Sequence, residues 1–179
     1  MIVVDDRSSD KTQDISEVIK NINVIRNEKN LGFLKSCNKA AIQAKGTYLH
    51  FLNNDTYVHE KWLSSLLKLY ESDAKIGLVG SKLVYPSGAL QEAGGIMWSD
   101  ASGMNYGKFD DADKPEFNYV KEVDYVSGAS MLIKKALWQD IGGYEVRFYP
   151  AYYENTDLAY KVRAAVYKVL YQPESVIKK

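Results

Sequence analysis

Between Ile2 and Leu52 the chain alternates short apolar runs with helix-periodic segments, and this alternation restricts its fold more than any other feature. Ile2-Val-Val4 is a β-branched run that ends at Asp5-Asp6, as a buried strand would. Ser8, Ser9 and Asp10 are helix N-cap candidates. Ile15, Val18 and Ile19 follow at spacings of three and four, which predicts a helix of about ten residues with those side chains inward. Ile22 to Arg26 is a second strand and Asn30 to Phe33 a turn. Residues 34–44 recur with helical period and stop at Lys45-Gly46, and residues 47–52 form a third strand. This order predicts an α/β fold with a mostly parallel central sheet and helices on both faces.

The remainder extends the pattern. A helix is expected from His59 to Glu71, with Trp62, Leu63, Leu66, Leu67 and Tyr70 inward, then a strand from Ile76 to Tyr85. Pro86-Ser-Gly88 is a turn, and Leu90 to Trp98 a hairpin arm. Residues 99–121 lack a period and read as a long surface loop. Val123 to Ile133 is strand-like around Ser127-Gly-Ala129, Lys134 to Ile141 a helix stopped by Gly142-Gly143, Thr156 to Ala165 a helix, and Lys168 to Tyr171 a last strand. The 179 residues suit one domain.

Composition removes several function classes. With 23 basic and 23 acidic residues the chain lacks the basic excess of a nucleic-acid binder. One cysteine, Cys37, forbids an internal disulfide, and two histidines leave little for a zinc site. Neither a membrane-length apolar run nor a signal peptide is visible, so the expected location is cytoplasmic.

The strand Tyr48-Leu-His-Phe-Leu52 ends abruptly in Asn53-Asn54-Asp55. Ligands of open α/β sheets bind beyond the carboxyl ends of the strands. A carboxylate there, beside two amides, could hold a hard cation through oxygen ligands, although a plain Asn/Asp turn would use the same residues.

Four segments occur in order: Val4-Asp-Asp-Arg-Ser-Ser-Asp10, Asn30-Leu-Gly-Phe33, Leu52-Asn-Asn-Asp55, and residues 142–158, which include Glu154-Asn-Thr-Asp-Leu158. Together they resemble the family 2 glycosyltransferases, inverting enzymes of the GT-A fold. The resemblance implies a nucleotide-diphospho-sugar donor of UDP or dTDP type, a divalent cation (Mg²⁺ or Mn²⁺), and transfer to the hydroxyl of a saccharide or lipid-linked acceptor. Cell-surface polysaccharide or glycan synthesis is the implied setting, with the chain cytoplasmic or peripheral at the inner membrane face. By position, Asp5, Asp6, Asn30, Gly32 and Asn54 fall where the family contacts the nucleotide. Asp55 matches the last carboxylate of the metal motif. Gly128 and Ala129 fall near the sugar and acceptor, with Tyr152 and Tyr153 as acceptor walls beside Trp98, Tyr106 and Tyr149. Residues 1–85 are the expected nucleotide-binding half, and 86–179 the acceptor half.

Two departures from the family pattern shape the expectation. Asn155 stands where the family carries its catalytic Asp, and a neutral amide is not a useful base. Glu154 is the better substitute and Asp157 the other; the remaining alternatives are a local shift in the alignment, or an impaired relative that retains at most nucleotide binding. The chain also opens at the family's second strand. The expectation is therefore a fold lacking the first strand and helix, with a free sheet edge through which copies could associate. A nucleotidyltransferase would want a Gly-rich, basic phosphate loop after the first strand, and none is visible.

Overall fold

The computed structural model describes residues 1–179. In chain order its elements are β1 (Ile2–Asp5), α1 (Ile15–Val18), β2 (Asn23–Arg26), α2 (Gly32–Gln43), β3 (Tyr48–Leu52), β4 (Tyr57–Val58), α3 (Trp62–Ser72) and β5 (Ile76–Val84). They continue with β6 (Leu90–Glu92), β7 (Gly95–Met97), β8 (Gly103–Asn105), β9 (Lys121–Glu122), β10 (Ser130–Lys134), α4 (Lys135–Asp140), α5 (Glu154–Ala164) and β11 (Lys168–Lys178).

The sheet is mixed where the alternation predicts a mostly parallel one. β1 and β2 pair in parallel as a separate two-stranded sheet. The large sheet has the order β3-β10-β5-β11-β4, with β6 on β5 and β9 on β11. β10 comes from the second half of the chain and inserts between β3 and β5, antiparallel to both. The two halves therefore interleave in one sheet. Because β10 opposes both neighbours, β3 and β5 run the same way, and β11 is parallel to β5. Leu52, Val84 and Lys178 thus end at one edge of the sheet, and Ser130 of β10 begins there.

The first helix falls short of expectation. Asp10 caps the Thr12 N–H at 2.9 Å and starts a 3-10 turn, Lys11–Asp14, followed by a single α-turn. Two short turns present no continuous stripe, so Val18 is 82% exposed and Ile19 half-exposed rather than inward. In α3 the start lies at Trp62, after a left-handed Lys61, and Leu63 is exposed, whereas Leu66 and Tyr70 are buried as expected. Residues 99–121 are not a structureless loop: they contain β8 and a 3-10 turn, Pro115–Phe117. Phe117 and Ala112 are buried in their own cluster with Leu90 and Tyr171. The ammonium of Lys82, buried in β5, donates to the Ala112 carbonyl at 3.0 Å and to Asn118 at 2.5 Å, which ties this segment to the sheet. The strand expected from Val123 to Ile133 begins only at Ser130, and the last strand extends to Lys178. No helix is long and apolar enough to cross a membrane.

The main core joins α2, α4 and α5 to one face of the large sheet through Leu34, Leu78, Ile133, Leu158 and Val162. α3 covers the other face with Leu66 and Tyr70. Within β3, His50 sits edge-on to Trp62 with its Nε2 3.1 Å from the Ser130 hydroxyl, and burial pulls its pKa from 6.5 down to about 4. Between those values the unfolded chain takes up a proton that the folded chain refuses. This contribution is complete above pH 6.5 and falls by about 3 kcal/mol by pH 4. Glu92 works the other way: burial lifts it from 4.5 to about 7, so the folded form holds a proton there and stability falls as pH rises through that window. The difference between the native chain and His50→Leu, measured by urea unfolding at pH 7.5 and 4.5, isolates the histidine. The native chain should lose about 3 kcal/mol more than the variant on acidification; equal losses would contradict the assignment.

Candidate active site

The turn after β1 is organised by Asp6. Its carboxylate accepts from the N–H groups of Leu31 and Gly32 and from the Asn27 amide, each at 2.8 Å. Burial pushes this carboxyl up, but those hydrogen bonds outweigh it and hold its pKa below the ordinary value. Gly32 adopts φ +72°, and a Cβ there would meet the Tyr149 ring at 2.9 Å, so glycine is required on both counts. Asn30 reinforces the turn by accepting from the Gly32 N–H at 3.1 Å. Asp5 is used differently. Its side chain is fully buried, accepts from the Ser8 N–H at 2.8 Å and pairs with Arg26, so its carboxylate is committed within the β1–β2 unit.

Phe33, at the start of α2, leads from this turn to the second cluster. A Cβ on Gly128 would lie 2.5 Å from Asn155 Oδ1 and 3.0 Å from both the Phe33 ring and the Tyr144 hydroxyl. That position tolerates no side chain. Ala129 accepts from the Asn53 N–H at 3.0 Å, which places the tip of β3 beside the same segment. A chain of contacts in space therefore runs from Asp6 through Gly32 and Phe33 to Gly128 and Asn155, with Asn53 at the flank of the 127–129 segment.

Glu154 opens α5 after Tyr153, which is held at φ +71°. The Tyr153 hydroxyl donates to the Ala101 carbonyl at 3.1 Å and so clasps the β7–β8 hairpin. Asn155 donates to Glu154 Oε1 at 3.1 Å and accepts from Tyr144 at 2.7 Å. Glu154 is 7% exposed, yet its Oε2 has no hydrogen-bond partner. A buried carboxylate oxygen without a donor is costly unless something completes it. Asp157 Oδ2 is also buried without a hydrogen-bond partner, but it lies 2.8 Å from Lys161 Nζ, whose charge offsets it; Glu154 has no such cation. Tyr152 is 81% exposed.

Asp55 is solvent-accessible, and its nearest cation is Lys179, at 3.4 Å. Asn54 beside it is exposed. No cluster of three His, Cys, Asp or Glu residues could hold a metal by itself. The protein thus offers one carboxylate, so a cation would take most of its oxygen ligands from a bound diphosphate and water. An indentation of about 360 Å³ lies between Tyr106, Lys121, Asp124 and Arg163; of the residues expected at the site it takes in Tyr106 alone.

Several contributors escape sequence reasoning. Asn38 clasps the Tyr144 backbone through two hydrogen bonds, at 2.8 and 3.0 Å, and thereby positions the hydroxyl that holds Asn155. Tyr144 lies inside a quoted motif but carries no signal separating it from the other thirteen tyrosines. Phe33 and Glu92 are equally silent.

Residues 1–140 match the family model Glycosyl transferase family 2. The chain is 29% identical over 117 residues to the "O-antigen biosynthesis protein RfbC" of Myxococcus xanthus, covering 62% of this chain and 9% of that protein. It is 26% identical over 159 residues to "Uncharacterized protein y4gI" of Sinorhizobium fredii, covering 86% of this chain and 17% of the relative. It thus spans a small part of the relatives it matches. Among solved structures, GalNAc-T7 with UDP, GalNAc and Mn²⁺ superposes with a TM-score of 0.81 at 18% identity, over 99% of this chain and 37% of that one. S. aureus TarS 1-349 with UDP gives 0.70 at 18% identity, over 99% and 50%. These superpositions establish the GT-A fold. With more than three-quarters of its residues inside the family match, the chain belongs to glycosyl transferase family 2.

Proposed function

We propose that this chain carries the transfer site of an inverting glycosyltransferase, which moves a sugar from a nucleotide-diphospho-sugar to an acceptor hydroxyl during assembly of a cell-surface polysaccharide. The observation that carries this reading is the orphaned Glu154 Oε2, buried at the N-terminus of α5 beside Asn155, on which Gly128 packs closely. Glu154 is the general base: Oε2 takes the proton of the attacking hydroxyl, while Asn155 fixes the carboxylate through Oε1. Asn155, at the family's base position, is a positioning residue. Tyr152 and Tyr153 wall the acceptor, and Gly128 and Ala129, buried and closely packed, back the Glu154–Asn155 pair near the sugar. The nucleotide lies against the turn built by Asp6, Asn30 and Gly32, within the half formed by residues 1–85. Asn54 borders it; Asp5 supports the turn from beneath.

Asp55 is the residue suited to a divalent cation, which when bound supplies positive charge to the leaving diphosphate. Structural relatives carry such groups: GalNAc-T7 with UDP and Mn²⁺, and a Pyrobaculum calidifontis mannosyltransferase with GDP-Man and Mn²⁺. The donor proposed here is of UDP or dTDP type, and the acceptor a saccharide or a lipid-linked saccharide met at the inner membrane face.

Calorimetry with UDP, with and without Mn²⁺, tests the site. Mn²⁺ should tighten UDP binding by about tenfold or more, worth about 1.4 kcal/mol, and Asp55→Ala should abolish that gain. A second reading, a relative that binds nucleotide without transferring sugar, is favoured by Asn155. It predicts UDP binding with neither transfer nor hydrolysis of any donor. The absence of detectable heat at millimolar UDP would refute both.

A further inference from the structure

Glu92 lies in β6, opposite Leu83 of β5, and is 2% exposed. It takes part in no ion pair with Lys, Arg or His. Its Oε1 accepts from the Ser127 N–H at 2.9 Å. Ser127 begins the segment whose next residue, Gly128, packs on Asn155, and whose third, Ala129, accepts from the Asn53 N–H. One buried carboxylate therefore anchors the segment that touches both the Glu154–Asn155 pair and the tip of β3. An uncompensated carboxyl is expensive to bury, and an apolar side chain would serve the core as well. Packing alone does not account for it.

We propose that Glu92 is a positioning residue for sugar transfer: through Ser127 it sets Gly128 against Asn155 and thereby fixes the direction of the Glu154 carboxylate. The inference rests on the reading of Glu154 as the base, but its geometric part stands independently. The titratable groups facing Glu92 are the hydroxyls of Tyr125 and Tyr171, from the segment before β10 and from β11. Neither is a cation. Burial lifts the Glu92 carboxyl to about 7, so below that pH it holds its proton while still accepting from Ser127.

Two variants of the full chain test the proposal. Glu92→Gln keeps an oxygen for Ser127 and removes the titration; Glu92→Leu keeps the volume and removes the oxygen. The first readout is amide hydrogen exchange at 127–129, which needs no activity. Exchange should be about tenfold faster in Glu92→Leu and restored by Glu92→Gln. The second is kinetic. Glu92→Leu should lower kcat by about tenfold to a hundredfold with donor KM unchanged, Glu92→Gln should retain kcat, and the Gln variant should lose any inflection near pH 7. Unchanged protection in Glu92→Leu, or a Gln variant as impaired as Leu, would overturn the proposal. If the native chain shows no turnover, the reading of Glu154 fails, and the exchange result still decides whether Glu92 holds the segment.

Discussion

Replacing Glu154 by Gln should lower sugar transfer by about a hundredfold to ten-thousandfold and leave UDP affinity within about twofold. Gln has the same shape and can still meet Asn155, so the fold should be undisturbed. What it loses is the ability to accept a proton. The expected signature is therefore a fall in kcat with little change in donor KM. Asn155→Asp is the companion. In the native chain, Asn155 donates to Glu154 at 3.1 Å and accepts from the Tyr144 hydroxyl at 2.7 Å. An Asp there would face a second carboxyl at hydrogen-bond distance, and the two could not both ionise freely. They would share a proton and titrate as a pair. Asn155→Asp should thus move the acidic limb of the activity profile to higher pH. In the double variant Glu154→Gln/Asn155→Asp, transfer should stay low if Glu154 is the base. A return of activity there would move the base to position 155, and a Glu154→Gln variant with native activity would end the assignment.

What the sequence discloses and what it hides follows from which interactions are local. β1, β2, α2 and β3 are legible because their apolar spacing and flanking turns lie within each segment, and that logic also marks Asp55 as a strand-tip carboxylate. The sheet's mixed character is not legible. It depends on β10 inserting between β3 and β5, a pairing across some eighty residues that alternation cannot register. α1 fails for another reason: Asp10 favours a 3-10 start, and the polar residues after it give too few turns for the expected stripe. The loop 99–121 looks structureless because its anchor, buried Lys82, lies in another element and reads as an ordinary charge in a strand. At the site, Glu154 and Asn155 could be singled out, but the contacts that distinguish them could not: those of Asn155 with Tyr144 and Gly128, and of Ser127 with Glu92, arise only in three dimensions.

Asp6→Ala should be the most damaging single change outside the core, costing about 3–5 kcal/mol. Three donors converge on this carboxylate, two of them backbone N–H groups at the entrance to α2. Truncation leaves these donors unpaired in a partly buried turn and removes the charge-assisted part of each bond. The loss should also be localised. The β1–β2 sheet is separate from the large one, and β1 packs against α2, so Asp6 fastens one unit to the other. For a chain of this size the fall in Tm should be about 10 °C or more, with hydrogen exchange accelerating first across β1 and β2. Acidity should mimic the mutation. Because the hydrogen bonds hold the folded-state pKa of Asp6 below its unfolded value, its contribution is complete above the ordinary carboxylate range and is lost as pH falls through the folded value. Asp10→Ala is the contrast: an exposed cap with a bond to Thr12 alone should cost far less. UDP affinity should fall with Asp6→Ala and hold with Asp10→Ala. Equal stability losses in the two variants would mean that Asp6 does not fasten the two sheets together, and intact UDP binding in a folded Asp6→Ala would remove the turn at Gly32 from the nucleotide site.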